Sequence, residues 1–589
     1  MPPFGFCGPS YTSQSPNADA QQCMNLYPEA IESGDGASRV ALYPTPGTVT
    51  LVTLPEGPVR GQIGTSGRAF AVGGSAFCEV FADGTIHNYG TIANNSSPVS
   101  MAAGTTQILI ASAGFVYVFD LNTNILTPID QAVLTNVNQV GYCDGFFLAL
   151  LNNSKTFQAS ALLDATTWPP LSVTTENIFI DNVLALLVDH REVWLFGLNR
   201  SVVYYDSGAA PFPFDVVPGG MIEQGIGAQN SPVRLDNSVF WLGGDERGNM
   251  IAWRANGYTP QRVSNHAVEF AWQGYKVVSD AVGYSYQDQG HSFWVLYFPT
   301  ADKTWVYDVA TGMWHERGFW DSINGRFAAH HSQNHLFSFN KHLVGDPKSG
   351  KIYQMSISLV DDDGQAIRRV RRAPHISKEQ KWSFISQLQV YVESGLGPIP
   401  PLPSPPTTAQ GISQYQVLQD SNLVDWDVYV DDNGILNSSN VGVLGAPTAL
   451  FLNDQMLGST SWQIGITIGG LLTATLVAYD GSYPTSLTLA SVPSSFPFSL
   501  TVVNGLLTTS PGGVTPALPN VRGPIINLRW SVDGGHTWSN EYPADIGQAG
   551  QYRKRAMWRR LGRSRDRVFE ISYADPAPLR IIDAYIEAS

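Results

Sequence analysis

Residues Phe293-Trp-Val-Leu-Tyr-Phe298 and, five polar or turn-forming residues later, Thr304-Trp-Val-Tyr-Asp308 decide how this chain is read. Both runs are β-branched and aromatic, and Pro, Thr and Asp separate them. That is the pattern of two strands joined by a tight turn. The same unit recurs outward in both directions. Towards the N-terminus lie Val239-Phe-Trp-Leu with Met250-Ile-Ala-Trp253, and Val193-Trp-Leu-Phe with Val202-Val-Tyr-Tyr-Asp206. Before them come Phe146-Phe-Leu, and Ile108-Leu-Ile-Ala-Ser-Ala-Gly114 with Val116-Tyr-Val-Phe-Asp120. Arg68-Ala-Phe-Ala-Val-Gly is followed by Ala76-Phe-Cys-Glu-Val-Phe and turns at Asp83-Gly84. Towards the C-terminus, Leu336-Phe-Ser-Phe339 goes with Lys351-Ile-Tyr353. A spacing of about 40–50 residues between hairpins is the period of propeller blades, and radial closure leaves only short strand edges. An all-β fold is therefore expected, with a β-propeller of six or seven blades over 38–360. One hairpin can complete a blade begun by strands near Val40–Leu54. A stack of β-sandwiches is the alternative.

The flanks have a different texture. Residues 1–37 are polar and irregular and read as an extended arm that docks on something else. After Asp361-Asp-Asp-Gly364, the stretch Phe384–Glu393 reads as one long alternating strand. Gly397-Pro-Ile-Pro-Pro-Leu-Pro-Ser-Pro-Pro406 is a semi-rigid polyproline linker. The Thr, Ser, Gly and Val-rich stretch beyond it ends at Pro511-Gly-Gly-Val-Thr-Pro516. These signals predict a Pro-linked inserted β domain over 396–520. It interrupts a discontinuous β-sandwich-like domain made of 361–395 and 521–589.

Composition narrows the function classes. Charged residues are 14% of the chain, against a usual value of about 25%. Gly (56), Pro (38) and many Ser, Thr and Asn take up the difference, as many short strands and turns require. The net charge of −15 argues against a duplex-DNA binder, which needs a basic footprint to neutralise phosphates. Cys7, Cys23, Cys78 and Cys143 form no C-x-x-C pair and read as free thiols in a reducing compartment. Met1-Pro-Pro-Phe-Gly-Phe lacks the basic and apolar regions of a leader. Ile464–Tyr479 is too short and too Gly-broken to span a bilayer.

Few motifs promise chemistry. Ser531, Asp533, Gly535, Thr537 and Trp538 match an Asp-box, a hairpin turn in which Asp and Thr bond the backbone and Trp packs beneath. Gly345-Asp-Pro-Lys-Ser-Gly-Lys351 looks like a P-loop without its final hydroxyl. Its strand-like flanks suit a turn better than a nucleotide site. Asp361–Gly364 and Asp431–Gly434 lack the ligand spacing of a calcium loop. His330, His331 and His335 suit an exposed or interface loop better than a metal site. No Ser/His/Asp order or paired carboxylates stand out. Neither a catalytic residue, a metal ligand nor a cofactor is expected.

Two basic runs stand out in an acidic chain. One is Arg368, Arg369, Arg371 and Arg372. The other is Arg553, Lys554, Arg555, Arg559, Arg560, Arg563, Arg565 and Arg567, a candidate interface cluster. Contact with a neighbouring subunit, contact with DNA phosphates, and pairing within the domain are all open to them.

Cys23-Met-Asn-Leu-Tyr-Pro28, Ala41-Leu-Tyr-Pro-Thr-Pro-Gly47 and Val59-Arg-Gly61 at one end carry a resemblance. So do Leu528-Arg-Trp-Ser-Val-Asp-Gly-Gly-His-Thr-Trp538, Trp558-Arg-Arg-Leu-Gly562, Arg565-Asp-Arg-Val-Phe569 and Asp575-Pro576 at the other. Together these resemble the packaged-DNA stabilisation proteins of short-tailed, P22-like bacteriophages; residues 396–520 fall outside the resemblance. It implies a structural virion protein, not an enzyme. Such a protein forms a tail hub or nozzle, with six copies ringing the DNA channel below portal and adaptor. There it retains the packaged genome and permits ejection. Implied partners are other copies of itself, the adaptor or head-to-tail connector, tail fibre or needle proteins, and DNA passing without sequence-specific binding, with no membrane insertion. Implied placement is the virion tail, assembled in the host cytoplasm. Two readings compete with it: a propeller glycosidase of Asp-box type acting on host surface glycan, and a propeller scaffold that binds other proteins.

Overall fold

The computed structural model describes residues 4–33, 38–175, 181–244, 249–377, 379, 381–393, 524–547 and 554–588, plus the backbone of strands between 416 and 511. Seven four-stranded antiparallel blades follow one another along the chain, five as separate sheets and the last two as parts of larger ones. Blade 1 runs from Val59–Thr65 to Ile86–Thr91, blade 2 from Ser100–Ala103 to Ile125–Pro128, and blade 3 from Val137–Cys143 to Val173–Thr175. Blade 4 covers Val183–Asp189 to Phe214–Ile222, blade 5 Val233–Leu235 to Thr259–Arg262, and blade 6 Val282–Asp288 to Met313–Arg317. Blade 7 takes three strands from Asn334–Ser338 to Lys351–Ser356 and its fourth, Gly47–Thr53, from the other end of the propeller sequence. The circle is thus closed by backbone hydrogen bonds between chain-distant strands, and only the short outer edges of the blades stay open. The first strands of neighbouring blades approach one another around the axis.

The alternation seen in sequence sets the packing. Along His291–Phe298 the side chains from Phe293 to Phe298 are buried, on both faces of the sheet, because each blade is covered by the blades on either side of it. Between blades 5 and 6, Phe240, Trp272, Trp294 and Trp314 share one core. Trp272 comes from the single α-helix among the described residues, His266–Gln273. Asn265 caps that helix by accepting from the Val268 amide at 3.0 Å. In blades 1, 3, 4, 5, 6 and 7 a two-residue turn joins the first strand to the second, and both residues have positive φ: Ser66-Gly67, Asp144-Gly145, His190-Arg191, Asp236-Asn237, Gln289-Gly290 and Phe339-Asn340. That backbone matches the right-handed twist of the flanking strands.

A β-sandwich stands beside the propeller. One sheet is ordered Ala20–Met24, Arg369–Arg372, Asp566–Tyr573, Ile525–Ser531, Tyr542–Asp545. The other is ordered Leu26–Ala30, Val40–Pro44, Arg580–Ala588, Ser383–Glu393, Arg555–Ser564. Leu388, Val390, Leu528, Phe569 and Ile581 lie buried between them. The first sheet runs on into blade 6 through the parallel pair Met24–Glu316. Two expectations change here. The N-terminal residues 4–33, read as an arm for a neighbour, are wound into this chain's own sandwich, because Cys23 and Leu26 point into its core and Arg371 binds the backbone of Phe6 and Pro9. The discontinuous domain accordingly takes strands from 20–44 as well as from 361–395 and 521–589.

Residues 398–522 form a second compact unit. Its strands pair antiparallel in sheets of three, three and two, from Gln416–Gln419 to Leu506–Pro511.

Candidate interaction surfaces

A cavity of about 700 Å³ lies on the propeller axis. Its wall is made of amides. Gln62 donates to Asn334 Oδ1 at 2.6 Å, Gln229 to Asn138 Oδ1 at 2.7 Å, and Asn334 to the Val59 carbonyl at 2.9 Å. Arg60 is the one ionisable residue in the lining, and its guanidinium is spent inside the fold. All five N–H groups donate: to the carbonyls of Ser97, Gly74 and Ala93, to Asn95 Oδ1 and to Ser112 Oγ, at 2.7–3.1 Å. Arg60 therefore stitches blade 1 to blade 2. With Arg60 so engaged, no acid–base pair among the described residues faces the cavity.

At one mouth of the axis a second cavity of about 660 Å³ is rimmed by His190, Asp236 and Asn237 from the turns of blades 4 and 5, and by Tyr286, Phe337 and His342 from blades 6 and 7. His335 and His342 hydrogen-bond through their rings at 3.0 Å, and burial pushes His335 down to about 3. His330 is 3% exposed and bonds Ser332 Oγ at 2.7 Å; burial also lowers His330 and His331. The histidines expected on an exposed or interface loop are buried or half-buried packing residues at the junction of blades 6 and 7. Among the described residues no group of three or more His, Cys, Asp or Glu could hold a metal ion.

The remaining turn motifs close on themselves. Ser531 Oγ donates to Asp533 Oδ1 at 2.6 Å and accepts from the Gly535 amide at 2.8 Å. Thr537 donates through its amide and hydroxyl to Asp533, at 2.9 and 2.6 Å. These donors hold the Asp533 carboxyl far below the usual carboxylate range. Trp538 bonds the Gly535 carbonyl at 3.0 Å, and the guanidinium groups of Arg372 and Arg529 lie over its ring at 4.8 and 4.7 Å. Gly534, at φ +70°, has no room for a side chain: a Cβ there would sit 2.2 Å from Asn17 Oδ1. In the P-loop-like segment, Asp346 accepts from the amides of Lys348 and Ser349, the Ser349 hydroxyl and Tyr353, and so builds a turn with no phosphate cradle. Asp362 is buried and pushed up to about 7, while Asp363 binds Thr50 and Lys351. Asp431–Gly434 lies outside the described residues. All four cysteines are free, and burial raises Cys7, Cys23 and Cys143 to about 12 and Cys78 to about 11, which leaves them unreactive thiols.

The two basic runs part company. Arg369 and Arg371 are at most 2% exposed. Arg371 donates to the carbonyls of Phe6 at 2.6 Å, Pro9 at 2.8 Å and Gln22 at 3.3 Å, and to Gln21 Oε1 at 2.6 Å. Arg372 pairs with buried Glu570 at 2.8 Å, and Arg368 lies over the Trp320 ring with Glu541 at 3.2 Å. In the second run Arg567 is also internal, donating to the carbonyls of Leu561 and Arg563. Lys554 pairs with Asp545. Arg555, Arg559, Arg560, Arg563 and Arg565 are exposed on or beside the edge strand Arg555–Ser564, and among the described residues none has a carboxylate partner. Arg553 lies outside the described residues. Around these arginines Trp382, Phe384 and Met557 are 56, 58 and 46% exposed, and Arg563 and Arg565 lie over the Trp382 ring at 5.0 and 5.1 Å. The sequence flagged the charges but not this exposed aromatic strip, since Phe384 read simply as the start of a strand.

A seven-bladed propeller joined to a β-sandwich defines the class, an all-β protein of several domains. The family comparison makes that specific. The model for the bacteriophage P22 Gp10 β-propeller matches residues 8–359, and the model for the bacteriophage P22 Gp10 β-sandwich matches 501–589. The chain belongs to this family of phage stabilisation proteins and is a structural component of a virion. No curated protein matches it. Among solved structures, a computationally designed protein, Ika8, is 12% identical over 52% of this chain and 99% of its own, with a TM-score of 0.32. The N-terminal domain of Nup159 is 10% identical over 57% and 98%, with a TM-score of 0.33. An auxiliary nutrient binding protein from Bacteroides thetaiotaomicron is 11% identical over 51% and 69%, with a TM-score of 0.29.

Proposed function

We propose that this protein is the tail nozzle of a short-tailed phage: a ring of about six copies that extends the DNA channel below portal and adaptor, retains the packaged genome and opens for ejection. It does so without catalysis. The family match at both ends of the chain carries the reading. Two physical points support it. The axial cavity of one propeller encloses only about 700 Å³ within a wall of paired amides, so a conduit for a duplex requires several chains around a shared axis. A net charge of −15 suits a wall that phosphates slide past, because like charge prevents sticking. Adaptor or connector proteins above and fibre or needle proteins below are the partners this placement gives it.

Electron-microscope images of tails purified from particles test the proposal. A ring of copies around the channel is expected, together with genome loss from particles that lack the protein. Tails with a single copy off the axis, or cleavage of host surface glycan by the purified chain, would replace the nozzle by the glycosidase or scaffold reading.

A further inference from the structure

We infer that the arginine–aromatic face along Arg555–Ser564 is one half of a head-to-tail contact between copies of this chain, seated on the acidic outer side of blades 2 to 4 of its neighbour. This deepens the ring proposal and rests on it.

Composition points to protein rather than nucleic acid. The exposed face carries Trp382, Phe384 and Met557 among arginines and no exposed lysine of the strand itself. Aromatic residues, Met and Arg are the side chains enriched at protein interfaces, where Lys is depleted. A backbone-binding phosphate surface has no need of a half-exposed Met and Phe.

The strand is a sheet edge, the position that natural proteins protect. Here a bulge interrupts pairing with Ser383–Glu393 between Ile385 and Gln387, and Arg560 and Gly562 have φ of +59° and +80°. The edge is therefore kinked against open-ended strand addition. What it offers a partner is its side chains.

Charge identifies the occupant. Residues 553–567 hold eight of the chain's 34 basic residues and one of its 49 acidic ones, so the remainder carries 26 against 48. Over 101–250 the acidic excess is 14 Asp and Glu against five Lys and Arg. Within 101–250, Asp130 near the outer strand of blade 2 and Asp215 at the outer strand of blade 4 are exposed, as is Glu223, which pairs with Arg200 at 3.1 Å. Ile125 and Met221 lie beside them, 59 and 44% exposed. Each copy thus carries a cationic, aromatic face and, on a different part of its surface, an acidic face with apolar residues of its own. Two different patches that fit each other make a heterologous contact, the kind that closes into a ring when the rotation is right.

The test places a benzoylphenylalanine photo-cross-linker at Met557 of the full chain and assembles it, half of it isotope-labelled, into particles. The expected product is a dimer between labelled and unlabelled chains, mapped to residues 101–250 of the second copy. In R559E/R563E/R565E the yield of that dimer should fall by about tenfold or more, since opposed charges become like ones, while circular dichroism and thermal melting stay unchanged. Cross-links to another protein or to residues 398–522 of the same chain, or an undiminished dimer in the triple variant, would overturn the inference. Ring images of the same tails would meanwhile leave the nozzle reading standing. Images without a ring would sink both.

Discussion

Arg368–Arg372 and Arg555–Arg565 are spelled in nearly the same letters and lie in opposite environments. The first occupies a central strand, between Ala20–Met24 and Asp566–Tyr573, and there its guanidinium groups become internal fasteners. The second occupies an edge strand whose alternation turns Ala556, Trp558 and Leu561 into the core and the arginines outward. A run of arginines therefore says little by itself. Its meaning follows from whether neighbouring strands cover both sides of the strand that carries it. The buried run should matter for stability and hardly at all for association, and the exposed run the reverse.

The largest expected effect breaks the buried side of that comparison. Arg371→Met leaves the carbonyls of Phe6, Pro9 and Gln22 without their donor in the interior, at about 1–3 kcal/mol for each unsatisfied group. A loss of about 3 kcal/mol or more in urea unfolding should result, with proteolysis appearing first in residues 4–33. Unchanged stability would mean that the N-terminal strands are held by their apolar contacts alone.

A second buried charge does the same job and can be read by pH. His291 on blade 6 bonds Asp308 at 2.9 Å and Glu29 of the sandwich strand Leu26–Ala30 at 2.5 Å. The hydrogen bond to Asp308 leads the causes that raise its pKa from 6.5 to about 9; burial opposes them, and Glu29 adds to the rise. Beside it Tyr27 and Phe293 are apolar neighbours, and His315 is held neutral by burial. A folded pKa above the unfolded one stabilises fully below the unfolded value and is lost as pH rises through the folded value. Stability should therefore decline between pH 6.5 and 9, by on the order of 2 kcal/mol, and H291Q should flatten that slope. A slope that survives H291Q would place the titration elsewhere.

These contrasts mark what the sequence made legible. Hairpin repeats gave the propeller; of the stretch near Val40–Leu54 offered as the start of a blade, Gly47–Thr53 completes blade 7, while Val40–Pro44 belongs to the sandwich. The amphipathic alternation of Phe384–Glu393 gave a sandwich strand. The turns were less visible: Ser66-Gly67 and Asp144-Gly145 carry the glycine such a turn prefers, but His190-Arg191 and Phe339-Asn340 do not, and tertiary pairing imposes positive φ on them. The N-terminal residues misled because Gln, Asn and Ser there satisfy backbone and arginine partners that only the fold assembles, as Gln21 does for Arg371. The burial of Arg371 was equally hidden, since strand order is a property of chain-distant pairing and not of local pattern.

On the exposed side a smaller effect is expected. R559E/R563E, which should lower association, should move the unfolding free energy by no more than about 0.5 kcal/mol, because surface charges without partners contribute little to stability. A larger loss would show that the edge arginines are structural after all, and the contrast with Arg371 would fail.

The smallest change separates the two parts of the proposed contact. R559K/R563K/R565K keeps every charge but removes the planar groups. Arg563 and Arg565 would no longer lie flat over the Trp382 ring, and a partner carboxylate would lose its bidentate donors. If attraction between net charges were the whole of the contact, this variant would assemble like the wild type and keep its salt dependence. The exposure of Trp382, Phe384 and Met557 argues for more than attraction, since rings at the centre of an interface act by being desolvated together with the arginines that cover them. The lysine variant should therefore give a dimer yield lowered by about threefold, between the wild type and the glutamate variant, with a shift in Trp fluorescence. Wild-type yield would reduce the face to a charged patch, and a yield as low as that of the glutamate variant would make guanidinium geometry, and not charge, the determinant of the contact.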